Sequence, residues 1–250
     1  MLRLMNDKLV IIPTYDEKEN VKAISQAIFR IVPDAHILFV DDNSPDGTGR
    51  IIDDLMQTEK RIHVLHKENK AGLGRAYISG FKWAIQHDYE FIFEMDADFS
   101  HDPVELPNFL KAAQNADLVL GSRYMHGIRI TNWPLRRLLL SKTAALFVRV
   151  ATGLPATDPT GGFKCYRRIV LTTIDLDSIV SSGYSFQVEM THTTWRHGFR
   201  IAEIPITFVD RRSGYSKMSG DILKEALWIV WRLAFRRRSK RKPEVKTPSL

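Results

Sequence analysis

Cysteine is nearly absent: Cys165 stands alone among 250 residues. One thiol excludes an intrachain disulfide framework and zinc sites built on cysteine pairs, and it fits a reducing compartment. No run of about 18 uncharged apolar residues occurs, so the chain offers no candidate for a membrane-spanning helix. The first six residues are too few and too polar for a signal peptide, and strand-like sequence follows directly. The spacing of zinc proteases is missing, since His192 and His197 stand five apart, off a shared helical face. No nucleophile elbow and no internal repeat occur, and the first strand runs into Ile12-Pro13-Thr14-Tyr15 in place of a glycine-rich dinucleotide turn. Acids are missing from one long stretch. Residues 118–157 hold Arg123, Arg129, Arg136, Arg137, Lys142 and Arg149 and no Asp or Glu. Solvated surfaces ordinarily mix signs, so this bias points to an anionic ligand or an anionic membrane surface.

What is present describes a globular α/β chain. Hydrophobic residues make up 44%, and the length can bury one large domain or two small ones. The formal charge of +7 is mostly a tail, because residues 236–250 carry seven bases against Glu244. Strand patterns at 9–12, 37–40, 62–65, 91–95 and 117–121 alternate with helical patterns at 20–32, 48–56, 75–87 and from about 103. Such alternation predicts a mainly parallel central sheet flanked by helices, with ligands at the carboxyl ends of its strands. Pro13, Tyr15, Glu17, Asp41, Asp42, Lys67, Asp96, Asp98, Ser122 and Arg123 all follow predicted strands and should converge on that edge.

The second half is less regular. Residues 135–151 read as a helix apolar almost all round, either a core helix with a basic rim or a lipid-facing one. Strand pieces are expected at 161–163 and 165–166, a helix at 185–196 and one strand at 201–209. After Ser219, residues Ile222, Ala226, Ile229, Val230 and Leu233 share a helical face, with Trp228, Trp231 and a basic terminus beside them. Too short to span a bilayer, this helix either docks on the domain or lies in a headgroup layer. Past Ser239 the charged, proline-containing residues suggest disorder. The expected division is 1–218 catalytic domain, 219–238 amphipathic and membrane-surface helix, and 239–250 basic tail.

Five motifs invite a chemical reading. Asp96-Ala97-Asp98 ends an apolar run and presents two hard oxygen ligands suited to Mg²⁺ or Mn²⁺ bridging a diphosphate, although the same tripeptide also opens solvated turns. Asp41-Asp42-Asn43-Ser44-Pro45-Asp46-Gly47-Thr48 is a strand end, tight turn and helix start whose paired acids could bind a nucleotide's base or ribose. Lys70 to Arg75 lacks dinucleotide and Walker spacings and reads as a helix-entry turn. Asp158-Pro159-Thr160-Gly161-Gly162-Phe163 brings backbone close to a neighbour or forms a bulge, and the loop from Asp210 to Lys217 sets three cations where phosphate oxygens could bind.

Lys70 to Arg75 aside, these blocks in combination, with Pro13 to Asn20, Gly121-Ser122-Arg123-Tyr124 and Gly183-Tyr184-Ser185-Phe186-Gln187, resemble the polyprenyl (dolichyl) phosphate mannosyltransferases over residues 10–219. The resemblance implies a GT-A fold and inverting, Mg²⁺- or Mn²⁺-dependent transfer of mannose from GDP-mannose to a polyprenyl phosphate. It assigns Pro13, Tyr15, Glu17, Val40, Asp42 and Lys70 to guanosine, and Asp96, Ala97 and Asp98 to the metal-diphosphate end. Ser100 stands where some relatives carry a metal-binding Gln. Arg123, Arg137, Ser141 and Arg211 would grip the acceptor phosphate and Lys217 the donor phosphates, with Asp96, Asp98, Arg123 and Arg211 closest to the chemistry. The transmembrane helices that some relatives append are missing, so anchoring falls to surface helices or to a membrane-anchoring protein partner. The implied place is peripheral, on the cytosolic face of a prokaryotic cytoplasmic membrane or of the endoplasmic reticulum, with no nucleic-acid partner.

A lipid phosphate monoester has its second pKa near ~6 and reaches the enzyme largely as a dianion, so attack on mannose C1 requires no protein base. Leu138, Leu139, Leu146 and Phe147 would then face the lipid chain. Rival readings are the same fold acting on UDP-glucose, a noncatalytic binder of anionic membranes or nucleic acid, and transfer to a sugar hydroxyl, which would need a general base.

Overall fold

A computed structural model of the chain describes residues 7–131, 133–183, 185–209 and 220–235, with side chains of the last segment from 228 onward. Strands and helices alternate as β1 (Lys8–Thr14), α1 (Val21–Ile31), β2 (His36–Asp41), α2 (Thr48–Thr58), β3 (Ile62–His66), α3 (Leu73–Gln86), β4 (Phe91–Glu94), α4 (Leu106–Ala112) and β5 (Leu118–Ser122). There follow β6 (Ile130–Thr131), α5 (Leu135–Thr152), β7 (Lys164–Arg167), α6 (Arg168–Thr173), α7 (Ser185–Arg196), β8 (Ile201–Pro205), β9 (Phe208–Val209) and α8 (Gly220–Phe235). Seven strands form one sheet in the order β3-β2-β1-β4-β7-β5-β8. All run parallel except β7, which is antiparallel to both β4 and β5.

The near-continuous apolar strands are buried on both faces. Leu9 and Ile11 of β1, with Leu38 and Val40 of β2, join Tyr77, Phe81, Phe186, Met190 and Ile229 on one side. Val10, Ile12, Ile37 and Phe39 alternate with them and meet Val21, Ile24, Ile28, Ile52 and Phe109 on the other. Period-two side chains thus feed two cores from one strand.

Two expectations are corrected and one open alternative is decided. The strand at 201–209 is two strands in different sheets: β8 stays on β5 as far as the Ile206 N–H, which donates to Ser122 O at 3.0 Å while the Ile206 side chain is buried, and the chain then leaves that sheet. Beyond it β9 pairs with β6, an element the sequence pattern does not announce. The strand begins at Lys164, so residues 161–163 precede it. Helix α5 is not a core helix: it buries only Ala145 and Val148, whereas Leu135, Leu139, Leu146 and Val150 are 54–77% exposed. Among the described residues no helix is long and apolar enough to cross a membrane.

Candidate functional site

The carboxyl ends of β1, β2, β4 and β5 bring the polar groups named above to one edge. Behind β2 the two acids divide their labour. Asp41 is spent on the turn, accepting hydrogen bonds from Thr14 Oγ1 and from the Ser44 hydroxyl and backbone. Asp42 folds a second loop over the edge, its Oδ2 accepting from Ala71 N at 3.1 Å and Gly72 N at 2.9 Å. Its Oδ1 is buried and accepts nothing from the protein, an arrangement that a ligand's N–H or O–H would complete. The folded loop lays Lys70 Nζ 3.2 Å from the Tyr15 ring centre, a cation on an aromatic face. The Glu17 carboxylate receives Asn20 Nδ2 at 2.6 Å, and its N–H is held by Thr48 Oγ1. Pro13 pairs with Val40 in register, and the Val40 side chain lies wholly in the core. Lys67 turns away to Ser79 Oγ at 2.9 Å.

Past β4 the chain reverses within six residues, with Phe99 at φ 61°. Asp96 N–H donates to His101 Nδ1 at 3.0 Å, and the buried His101 ring stacks on Phe163. Asp98 Oδ1 accepts from Ser100 N at 3.0 Å, while Ser100 Oγ is buried without a partner. Ala97 is buried between them. Two carboxylates and one orphaned hydroxyl form an all-oxygen set that fits Mg²⁺ or Mn²⁺ in character. No group of three acids, histidines or cysteines stands ready for a metal among the described residues, so substrate oxygens would fill the remaining positions.

Beneath Asp96 lies a buried polar cluster that sequence reasoning missed. Glu94 and Lys164 are opposite in register on β4 and β7, both fully buried, and Lys164 Nζ donates to Gln187 O at 2.8 Å. Burial pushes the Glu94 carboxyl up to about 7 against the pull of Lys164, and the same cause brings Lys164 down to about 8. The available signal was a lone acid in the otherwise apolar β4, joined by a lysine at the start of β7.

Beyond β5, Arg123 is buried and forked onto Asp158, with Nε to Oδ2 and Nη2 to Oδ1 both at 2.7 Å. Burial opposes both charges, yet each partner's charge and hydrogen bonds prevail, holding Arg123 above and Asp158 below its ordinary pKa. Glu203 seats the motif by accepting from Thr157 N, Thr157 Oγ1 and Asp158 N at 2.7–2.9 Å. Ser141 on α5 accepts from Tyr124 OH at 2.6 Å, and the Arg137 guanidinium lies 4.0 Å above Trp133. Arg123, Arg137 and Ser141 therefore do gather at the root of α5. A groove of about 380 Å³ continues from there, lined by Tyr124, Ile128, Lys142, Leu146, Arg149 and Thr157. Arg211 and Lys217 lie outside the described residues, as do Tyr184 and the 239–250 tail.

Residues 9–175 match the family model described as Glycosyl transferase family 2. The chain belongs to that family. As a glycosyltransferase it is an enzyme, which replaces the noncatalytic reading. The transferase is 48% identical over 224 residues to polyprenol monophosphomannose synthase of Mycolicibacterium smegmatis, covering 89% of this chain and 84% of that protein. It is also 48% identical over 230 residues to undecaprenyl-phosphate mannosyltransferase of Micrococcus luteus, covering 91% and 95%. Among solved structures, mannosyltransferase PcManGT from Pyrobaculum calidifontis, in complex with GDP-Man and Mn²⁺, superposes with TM-score 0.51 at 16% identity, over 90% of this chain and 69% of that one. The transferase shares its GT-A fold.

Proposed function

We propose that the transferase moves mannose from GDP-mannose to a polyprenyl phosphate with inversion at C1, giving polyprenyl phosphate mannose. The observation that carries this reading is the junction of the charged sheet edge with an acid-free, apolar and exposed helix, α5. A sugar-hydroxyl acceptor would have no use for such a surface. The names of the two relatives agree with a lipid phosphate acceptor.

Guanosine would lie against Tyr15, with the unpaired Asp42 oxygen toward its donors and Lys70 closing the loop. Asp96 and Asp98, with Ser100 beside them, would hold Mg²⁺ or Mn²⁺, which when bound supplies positive charge to the departing diphosphate. In the transfer, a bond forms between an acceptor phosphate oxygen and C1 while the bond from C1 to the β-phosphate oxygen breaks. No proton moves, so no base is needed. Arg123, Arg137, Ser141 and Arg211 would align the nucleophile, and Lys217 would meet the donor phosphates. Because Asp158 already balances Arg123, this arginine orients the phosphate without quenching its nucleophilicity. Residues 1–218 would form the catalytic domain, 219–238 a helix on the lipid surface and 239–250 a basic tail toward the same anionic face, with peripheral attachment aided by a membrane-anchoring partner.

Turnover of GDP-mannose against UDP-glucose, with short polyprenyl phosphate and Mn²⁺ in detergent, tests donor and metal together. Mannose transfer is expected, falling by about 100-fold or more in Asp98→Ala with melting temperature retained. Glucose-only activity would remove the donor assignment, and an active Asp98→Ala would remove the metal site.

A further inference from the structure

Taking Asp42 as part of the donor site, we infer that Arg232 and Glu189 are positioning residues that carry the seating of α8 to the bound nucleotide. Every link between them is a contact. Glu189 on α7 is fully buried, and its Oε2 receives Val180 N at 3.1 Å, Ser181 N at 3.0 Å and Ser181 Oγ at 2.6 Å. Its Oε1 accepts no hydrogen bond, and Arg232 Nη1 stands 4.0 Å away on α8. A buried carboxylate oxygen without a donor is costly. An approach of roughly 1 Å by Arg232 would close the gap to a charge-assisted hydrogen bond.

The segment held by Glu189 abuts the start of α3. Gly74 N donates to Ser182 O at 2.9 Å, and a Cβ at Gly74 would fall 2.5 Å from Ser181 O. No slack therefore separates residues 180–182 from α3, and close-packed contacts transmit displacement. Immediately ahead, Ala71 and Gly72 donate to Asp42, and Lys70 rests on Tyr15. Movement of 180–182 thus reaches the loop that aims the unpaired Asp42 oxygen. At the far end Arg232 shares α8 with Trp228, Trp231 and Phe235, which are 56–78% exposed. A lipid surface would press on these rings, and the pressed helix carries Arg232 toward Glu189.

Steady-state kinetics of the full chain in detergent test the link, with GDP binding in Mn²⁺ measured by calorimetry. Arg232→Met is expected to raise KM for GDP-mannose about five- to tenfold and to weaken GDP binding alike. Acceptor KM and kcat should stay within about twofold, and Arg232→Lys should recover most of the loss. Adding Glu189→Gln to Arg232→Met should bring nothing beyond the larger single effect, since both break one link. Asp42→Asn, measured alongside, separates two failures. If it raises donor KM while Arg232→Met does not, the link is refuted and the donor site stands. If neither raises it, the donor reading falls as well. An Arg232→Met defect confined to acceptor KM, or to kcat without the donor split, also overturns the proposal.

Discussion

At the level of single residues, the acids that matter differ in what already occupies them. Asp41 and Asp42 are adjacent and chemically identical, yet one closes a turn while the other keeps an oxygen open. Strand alternation sends neighbouring side chains to opposite faces, so adjacency in sequence guarantees different partners in space. Arg123 shows the converse: its partner Asp158 is 35 residues away and is brought to it after α5, in the loop that leads into β7. Sequence pattern marked both residues but could not pair them. Asp158→Asn should cost about 3–5 kcal/mol in urea denaturation, because it strands a buried guanidinium. A loss below ~1 kcal/mol would mean that Arg123 finds water, and that the pair is not what seats the motif.

Among elements, the β2–β3 edge carries a titrating device at the end of the sheet away from the candidate site. His36 Nδ1 and His63 Nε2 are 3.1 Å apart, Tyr89 OH is 2.9 Å from His36 Nδ1, and Trp83 packs against His63 and His87. Burial first, then the charges of His36 and His87, lowers His63 to about 4; burial and then Arg61 lower His36. Both folded values lie below the ordinary 6.5, so the fold binds fewer protons than the unfolded chain. Their stabilisation is present above about pH 6.5 and is lost as pH falls toward 4. After discounting for partial exposure, His63 should cost about 1 kcal/mol between pH 7 and 5. The melting temperature of wild type should therefore drop relative to that of His63→Gln as pH falls; parallel curves would refute the assignment. The split of 201–209 belongs to this scale too. The partner that β9 finds in β6 was not visible in the sequence, because a two-residue parallel pair leaves no periodic trace.

For the whole molecule, the proposed lipid phosphate acceptor makes the uncovered apolar surface the feature to test. Helix α5 exposes Leu135 (68%), Leu139 (54%), Leu146 (57%) and Val150 (77%) on a surface without acids, and α8 adds two tryptophans and a phenylalanine. An apolar surface rimmed by cations suits an anionic bilayer at depths of a few ångströms. Leu135→Glu with Val150→Glu should weaken co-sedimentation with phosphatidylglycerol-containing vesicles by at least about tenfold, at the scale of partial burial of two such side chains. Unchanged vesicle binding would move the docking surface elsewhere. By itself the sequence determined the alternating α/β plan, the strand ends that bear the acids and the family, because these rest on local periodicity and on motif order. Only the tertiary structure decided that α5 faces outward, that Asp158 balances Arg123, that Glu94 and Lys164 share an interior, and that α8 reaches Glu189. Each of these depends on which surfaces remain uncovered once distant segments pack, and a pattern read along the chain carries no record of distance across it.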